Sequence, residues 1–321
     1  MSVERAHRMS HAVDAAAPAA VLYALVADTT QWPLLLPDSI HVERLDFDGT
    51  TDRYFQWAVV DGIPQPSLWR RTLDARRRRV DFHAERSGAP VTTTGGSWRV
   101  EELAPGWSRL TLEQDVSVTA ERAVDAERLL ASARAGARTT LDRLRAAAEG
   151  WRRLDGAALS FEESVRIQGP AEPVYEFLYG VSSWPGRVPH VVRAEVTEDS
   201  PGVQHATVVN LAGDGSAYTT EAVRVCFPAA GRIVFKQLRP HALLSAHTGE
   251  WSVEPDATGV TVVARHDVLL DERTVERVLG PDADLARARR FVREALGAES
   301  RATLGPAQQH AQESVRSLRS V

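Results

Sequence analysis

Two arginines and two further polar residues sit where a strand pattern should bury them. In residues 68–74 the side chains of Trp69, Arg71 and Leu73 share one face, because strand side chains alternate. An inward guanidinium needs a partner or a wet cavity. Lining a cavity, it could meet a polar group of a bound ligand. Paired with a buried carboxylate, it would hold structure instead. Arg224 sits in a similar stretch, with Tyr218, Thr220 and Ala222 on its face and Val223, Val225 and Phe227 on the other, so its parity is ambiguous.

His266 alternates with Val260, Val262, Ala264 and Val268, and Gln114 with Leu110, Leu112 and Val116. Both are expected to point inward. A histidine there can shuttle a proton near neutral pH, whereas a glutamine can only donate or accept hydrogen bonds. The bland reading of a lone inward histidine is a satisfied core residue. Trp32, Trp69, Trp98, Trp184 and Trp251 are candidate pocket walls, since aromatic planes suit flat ligands; simple core packing is the competing expectation. His190, His241 and His247 are further candidates, and Ser39 falls near the place in the first half that His190 takes in the second.

These residues recur at one spacing. Trp32-Pro33 and Trp184-Pro185 are 184 − 32 = 152 residues apart, as are Pro18 and Pro170 and the pair Gln114 and His266. Trp98 and Trp251, like Arg71 and Arg224, are 153 apart (251 − 98). That period is the length of a domain. The chain is therefore read as two copies of one fold, residues 1–152 and 153–321, differing at informative positions.

Each half reads in the same order. A short strand (8–13; 161–167) precedes a helical stretch from Pro18 or Pro170, which ends at the Trp-Pro pair because proline disfavours helix in the residue before it. Six alternating strands follow, near 40–47, 52–60, 66–74, 79–85, 92–102 and 107–118 in the first half, and near 191–198, 204–211, 217–227, 231–238, 244–254 and 259–269 in the second. Asp48-Gly49, Asp61-Gly62 and Pro105-Gly106 mark turns. The first half closes with a helix over about 121–151, with Ala123, Leu130, Ala137 and Leu144 in one stripe and Glu127, Arg134, Leu141 and Ala148 beside it. The second closes with helices over 272–279, 284–296 and 307–318, interrupted at Gly297 and Gly305-Pro306. Residues 151–160 read as a connector. This is an α+β layout: a curved antiparallel sheet wrapped around a long helix, leaving a gap suited to apolar ligands.

Composition narrows the function. The 321 residues are 43% hydrophobic and 25% charged, and the net charge of −5 gives no global field for nucleic acid or an acidic membrane. The run Arg76 to Arg79 is either a solvated turn or a dock for an acidic carrier protein. Cys226 is the only cysteine, so no intrachain disulfide or thiolate metal cluster can form. No apolar run reaches the ~18 residues a membrane span needs, and the first ten residues carry no signal-peptide core, so a cytoplasmic protein is expected. Phosphate-loop, dinucleotide, nucleophile-elbow and zinc-protease motifs are missing from the sequence. Lys236 is the only lysine, which disfavours imine chemistry.

The landmarks Trp32-Pro33-Leu34-Leu35-Leu36-Pro37, Trp69-Arg70-Arg71, Gly96-Ser97-Trp98, Trp184-Pro185-Gly186-Arg187-Val188-Pro189-His190 and Gly249-Glu250-Trp251 occur in order and in duplicate. On them the chain resembles the didomain aromatase/cyclases of bacterial type II polyketide synthases, over about residues 8–321. The resemblance implies two tandem helix-grip domains, similar to the START and Bet v1 proteins. It implies an enzyme of antibiotic biosynthesis that takes a poly-β-ketone on an acyl carrier protein, closes its first ring by aldol condensation and dehydrates it. It further implies ketoreduced substrates, closure between the seventh and twelfth carbons, and no cofactor. Other synthase components would be its partners. By the same resemblance Arg71 and Arg224 take the pocket-arginine position, the tryptophans take the walls, and His266 falls where some relatives place a catalytic histidine. Gln114 and Ser39 depart from the pattern. Arg71, Arg224, His266 and Gln114 are thus the expected catalytic set. Trp32, Trp69, Trp98, Trp184, His190, Tyr218, His247 and Trp251 are the expected substrate-binding set. A non-catalytic START-like carrier of a lipid or polyketide is the competing reading.

Overall fold

The computed structural model describes residues 3–60, 62–86, 91–120, 123–211 and 215–318. The chain divides into two compact units, residues 1–155 and 156–321. The first unit runs β1 (Val3–Ala15), α1 (Ala19–Ala27), a 3-10 turn, α2 (Trp32–Leu35), then β2 (Ser39–Phe47), β3 (Thr51–Val60), β4 (Ile63–Asp74), β5 (Arg79–Arg86), β6 (Val91–Ala104) and β7 (Trp107–Ala120), and closes with α3 (Ala123–Glu149). A short helix α4 (Trp151–Ala157) takes the place of the expected connector and contains the division.

The second unit repeats the order: β8 (Ala158–Ile167), α5 (Ala171–Tyr179), β9 (Val191–Ser200), β10 (Val203–Leu211), β11 (Ala217–Phe227), β12 (Arg232–Arg239), β13 (Leu244–Asp256), β14 (Gly259–Leu270), α6 (Val275–Leu279) and α7 (Leu285–Leu318). Each unit holds one seven-stranded antiparallel sheet. The orders are β1-β7-β6-β5-β4-β3-β2 and β8-β14-β13-β12-β11-β10-β9. The meander of six strands is closed by the first strand returning beside the last. This is the helix-grip arrangement.

The long helices lie against the sheets through narrow apolar stripes. On α3, Leu130, Ala137, Leu141, Leu144 and Ala148 are buried, while Glu127 and Arg134 of the second expected stripe stay exposed. On α7, Leu304, Ala307 and Ala311 are fully buried against the α5 side of the core. That burial corrects one expectation: α7 does not break at Gly297 or Gly305 but runs through Pro306. An interior proline costs about 3 kcal/mol. Burying Leu304 alone, next to it, contributes roughly 1.5–3 kcal/mol, and Ala307 and Ala311 add to it.

One close approach is shared by both sheets. A Cβ on Gly96 would fall 2.2 Å from the Glu113 carbonyl oxygen and 2.7 Å from the Phe82 ring. On Gly249 it would fall 2.4 Å from the Arg265 oxygen and 2.5 Å from Phe235. Each glycine lets a cross-strand phenylalanine lie flat on the sheet, and Phe82 thereby becomes part of the cavity wall described below.

Candidate functional site

Arg71 lies on β4 opposite Asp52 of β3, and only 2% of it is exposed. Its Nε donates to Asp52 Oδ1 at 2.9 Å and Nη2 donates to Asp52 Oδ2. Nη1 donates to the Val26 carbonyl at 3.0 Å and Nη2 to that of Ala27 at 2.9 Å. These carbonyls end α1, where helix oxygens lack intrahelical donors and carry partial negative charge. The guanidinium also lies over the Tyr54 ring, 4.9 Å from its centroid. Burial works to lower the Arg71 pKa, and the hydrogen bond and charge of Asp52 override it, so the group stays cationic. Four of its five N–H groups are thus taken, and one on Nη1 has no partner among the described residues. Both expected roles meet in this residue: Arg71 pairs with a buried carboxylate and ties α1 to the sheet, and it also lines the cavity described next.

That cavity, of about 560 Å³, lies between the sheet of the first unit and α3. Its walls are aromatic. Trp32 and Trp98 meet edge-on with centroids 6.4 Å apart, Phe82 follows 6.4 Å from Trp98, and Trp69 lies 5.8 Å from Phe82. The indoles are fixed: Trp32 Nε1 donates to the Leu25 carbonyl at 2.9 Å and Trp69 Nε1 to Ser67 Oγ at 2.7 Å. Polar groups are few. Gln56 Nε2 donates to Ser39 Oγ at 3.4 Å, and among the described residues the buried Gln114 Oε1 has no hydrogen-bond partner. A mostly apolar pocket of this size with a few convergent polar groups is the usual form of a small-molecule site. Its exposed lining residues, including Pro37, Val60, Gly62, Ser132 and Gly136, form the mouth.

The Arg76–Arg79 turn is not at that mouth. It joins the far end of β4, roughly 40 Å of extended strand from Gly62. Arg77 pairs with Asp74, Arg78 with Glu102 and Arg79 with Asp81. The structure favours the solvated turn over the carrier dock.

In the second unit Arg224 faces Gln204, a neutral amide at the position of Asp52. Nη1 donates to Gln204 Oε1 at 2.5 Å and to the Tyr179 carbonyl at 3.1 Å, and Nη2 to that of Leu178 at 2.5 Å. The carboxylate is one step removed: Gln204 Nε2 donates to Glu198 at 3.0 Å. With 5% exposure and no direct anion, burial pulls the Arg224 pKa down from the ordinary value.

His266 is buried, but not as a free imidazole. Its Nδ1 lies 3.0 Å from His247 Nε2 and its Nε2 lies 2.8 Å from Ser300 Oγ. Phe161 stacks on it at 5.0 Å and Phe235 meets it edge-on. Burial drops its pKa to about 4 and takes that of His247 well below the ordinary value, the neighbouring ring adding to the effect there. Both shifts favour the neutral rings, and His266 sits between His247 and Ser300 as a hydrogen-bonded buried imidazole.

The remaining expected wall residues of the second unit are each held by contacts within it. Trp184 Nε1 donates to the Phe177 carbonyl at 2.9 Å and Trp251 packs in the core. Tyr218 donates to Glu299 Oε1 at 2.5 Å, from β11 to α7. His190 is half-buried, which lowers its pKa, and His241 is exposed. Asp52, Gln204, Glu299 and Ser300 were missed by sequence reading. The first two carry the same 152-residue offset as the tryptophans (204 − 52), which would have found them.

Comparison with known proteins agrees with this architecture. Residues 15–145 and 167–290 each match the family "Polyketide cyclase / dehydrase and lipid transport". The chain is 36% identical over 307 residues to the granaticin polyketide synthase bifunctional cyclase/dehydratase of Streptomyces violaceoruber, covering 95% of this chain and 94% of that one. It is 37% identical over 314 residues to the actinorhodin polyketide synthase bifunctional cyclase/dehydratase of Streptomyces coelicolor, covering 95% and 96%. Among solved structures, the di-domain aromatase/cyclase BexL of the BE-7585A pathway superposes with a TM-score of 0.84 at 35% identity, covering 95% of this chain and 98% of that one. StfQ of the steffimycin pathway gives 0.81 at 28% identity, covering 96% and 99%. With two matched domains, full-length relatives and the same two-unit fold, the chain belongs to the polyketide cyclase/dehydrase family and is one of its didomain aromatase/cyclases, enzymes of the bifunctional cyclase/dehydratase kind.

Proposed function

We propose that the first unit takes a poly-β-ketone, delivered on an acyl carrier protein of a type II synthase in the cytoplasm, and closes its first ring there. The carrying observation is the cavity itself: flat aromatic walls, one unpartnered amide oxygen on Gln114, and one free guanidinium edge on Arg71. An extended polyketone is reactive in many folds, so the protein's task is to hold one of them. Trp32, Trp69, Trp98 and Phe82 restrict the chain to flat conformers.

The free Arg71 N–H donates to the oxygen of the attacked ketone. A carbon–carbon bond forms from the nucleophilic α-carbon, and the electron pair of the carbonyl moves onto that oxygen as an alkoxide. Gln114 Oε1 accepts a hydrogen bond from a water that takes the α-proton and returns it to the alkoxide. Loss of a second α-proton with hydroxide then gives the ring double bond, and flat walls favour that product. Closure between the seventh and twelfth carbons of a ketoreduced chain is the regiochemistry this reading adopts.

Arg224, Trp184 and Trp251 hold the second unit's fold, and His190, Tyr218, His247 and His266 act there as structural groups. The test is a reconstituted minimal synthase with its carrier protein, run with and without the full chain. A cyclase changes which product forms. If the chain alters only the amount of polyketide held in solution, it is a carrier and the proposal fails.

A further inference from the structure

The two units differ where the long helix faces the sheet. The buried stripes of α3 and α7 match Leu141, Leu144 and Ala148 with Leu304, Ala307 and Ala311 (304 − 141 = 163). The same offset sets Gly136 against Glu299 and Ala137 against Ser300. On the sheets, the cross-strand pair Ala58–Gln65 corresponds to Asn210–Tyr218, and Met9–Gln114 corresponds to Phe161–His266.

Four positions therefore correspond: Gln65 with Tyr218, Gly136 with Glu299, Gln114 with His266, and Ala137 with Ser300. In the first unit all four line the cavity, and a Cβ on Gly136 would meet nothing within 4 Å. In the second unit they form two hydrogen bonds from sheet to helix, Tyr218 to Glu299 at 2.5 Å and Ser300 with His266 at 2.8 Å. The bonds cross the gap that stays open in the first unit.

We propose that Tyr218 and Glu299 form a latch closing a latent cavity in the second unit, and that Gln65 and Gly136 are the specificity positions that keep the first cavity open. The latent site would take the same class of ligand, a flat, largely apolar molecule. Glu299 is well placed for a latch. Burial raises its pKa, and the Tyr218 hydroxyl is the donor that offsets the cost of holding its carboxylate under the helix. His266 and Ser300 form the inner bar behind it.

This inference rests on the cavity and the register, not on cyclisation chemistry, so a binding readout separates the two. The probe is 1-anilinonaphthalene-8-sulfonate, titrated into the full chain by fluorescence and calorimetry. Wild type is expected to bind one equivalent. The exchange Gln65→Tyr with Gly136→Glu should build the latch in the first unit and weaken that binding at least tenfold. Gly136 is exposed on a helix with free space around it, so this variant should fold, with circular dichroism and thermal melting as checks. The reverse exchange, Tyr218→Gln with Glu299→Gly, should raise the stoichiometry to two. Unchanged affinity in the first variant, or a stoichiometry that stays at one in a folded second variant, overturns the latch. If the second variant does not fold, the first decides alone. Loss of cyclisation with normal probe binding would count against the proposed function and leave the latch standing.

Discussion

Asp52 and Arg71 face each other across the β3–β4 ladder and Arg71 donates two hydrogen bonds to the carboxylate, while the corresponding pair of the second unit is Gln204 and Arg224. One arginine thus has a direct counter-charge and the other has one relayed through an amide to Glu198. Removing one member of a buried ion pair leaves the other uncompensated and typically costs 3–5 kcal/mol. Asp52→Ala should destabilise the first unit by about that much. Asp52→Asn should cost less, because the second unit shows that an amide can hold this guanidinium. Urea denaturation of the three proteins checks the order; equal stability of Asp52→Ala and wild type would refute it.

Arg71→Lys keeps the charge but cannot reach Asp52, Val26 and Ala27 together, since an ammonium lacks the planar fork. The end of α1 and the Trp32 indole bound to Leu25 should lose their anchor. The expected outcome is a folded protein whose correct cyclisation falls at least tenfold, read by product analysis in the reconstituted synthase. Wild-type product ratios from Arg71→Lys would show that positive charge suffices.

His266 makes stability depend on pH. Its folded pKa, about 4, lies below the unfolded value near 6.5, so the unfolded chain binds the proton first as pH falls. Its contribution is full above pH 6.5 and lost on the way to pH 4, a change of about 3 kcal/mol at ~1.36 kcal/mol per unit. His247 acts in the same direction, while the charges of Asp267 and Glu163 oppose the shift at His266. His266→Gln, which installs the residue of the first unit, should flatten the acid limb between pH 7 and 5 in denaturation curves. An unchanged slope would mean that the histidine pair is already protonated or solvated.

Gly96→Ala should lose at least about 2 kcal/mol, because overpacking against fixed backbone at 2.2 Å cannot be relieved by side-chain rotation. Because Phe82 must move, probe affinity for the cavity should fall with stability. A thermal melt at the wild-type temperature would contradict the close approach.

The sheet was legible because alternation and turn residues are local signals. The period-2 pattern placed Arg71, Gln114 and His266 indoors, and the duplicated Trp-Pro pairs gave two copies. What alternation cannot give is partnership. Nothing adjacent to Arg71 announces Asp52, 19 positions earlier in a neighbouring strand, nor the α1 carbonyls it binds. The helix through Pro306 was hidden for the same reason: local propensity argues for a break, and burial of Leu304 and Ala307 on a distant surface overrides it. The correspondence of Gly136 with Glu299, which bonds Tyr218 across to the sheet, appears only once the helices are in register.

The account is tested most directly at Gln114, whose buried Oε1 has no partner among the described residues. Gln114→Leu removes that oxygen at similar volume, so stability should hold or rise by up to ~1 kcal/mol. In the reconstituted synthase the same variant should lose the correctly closed ring in favour of shunt products. A normally folded Gln114→Leu protein that returns the wild-type product ratio would contradict ring closure in this cavity.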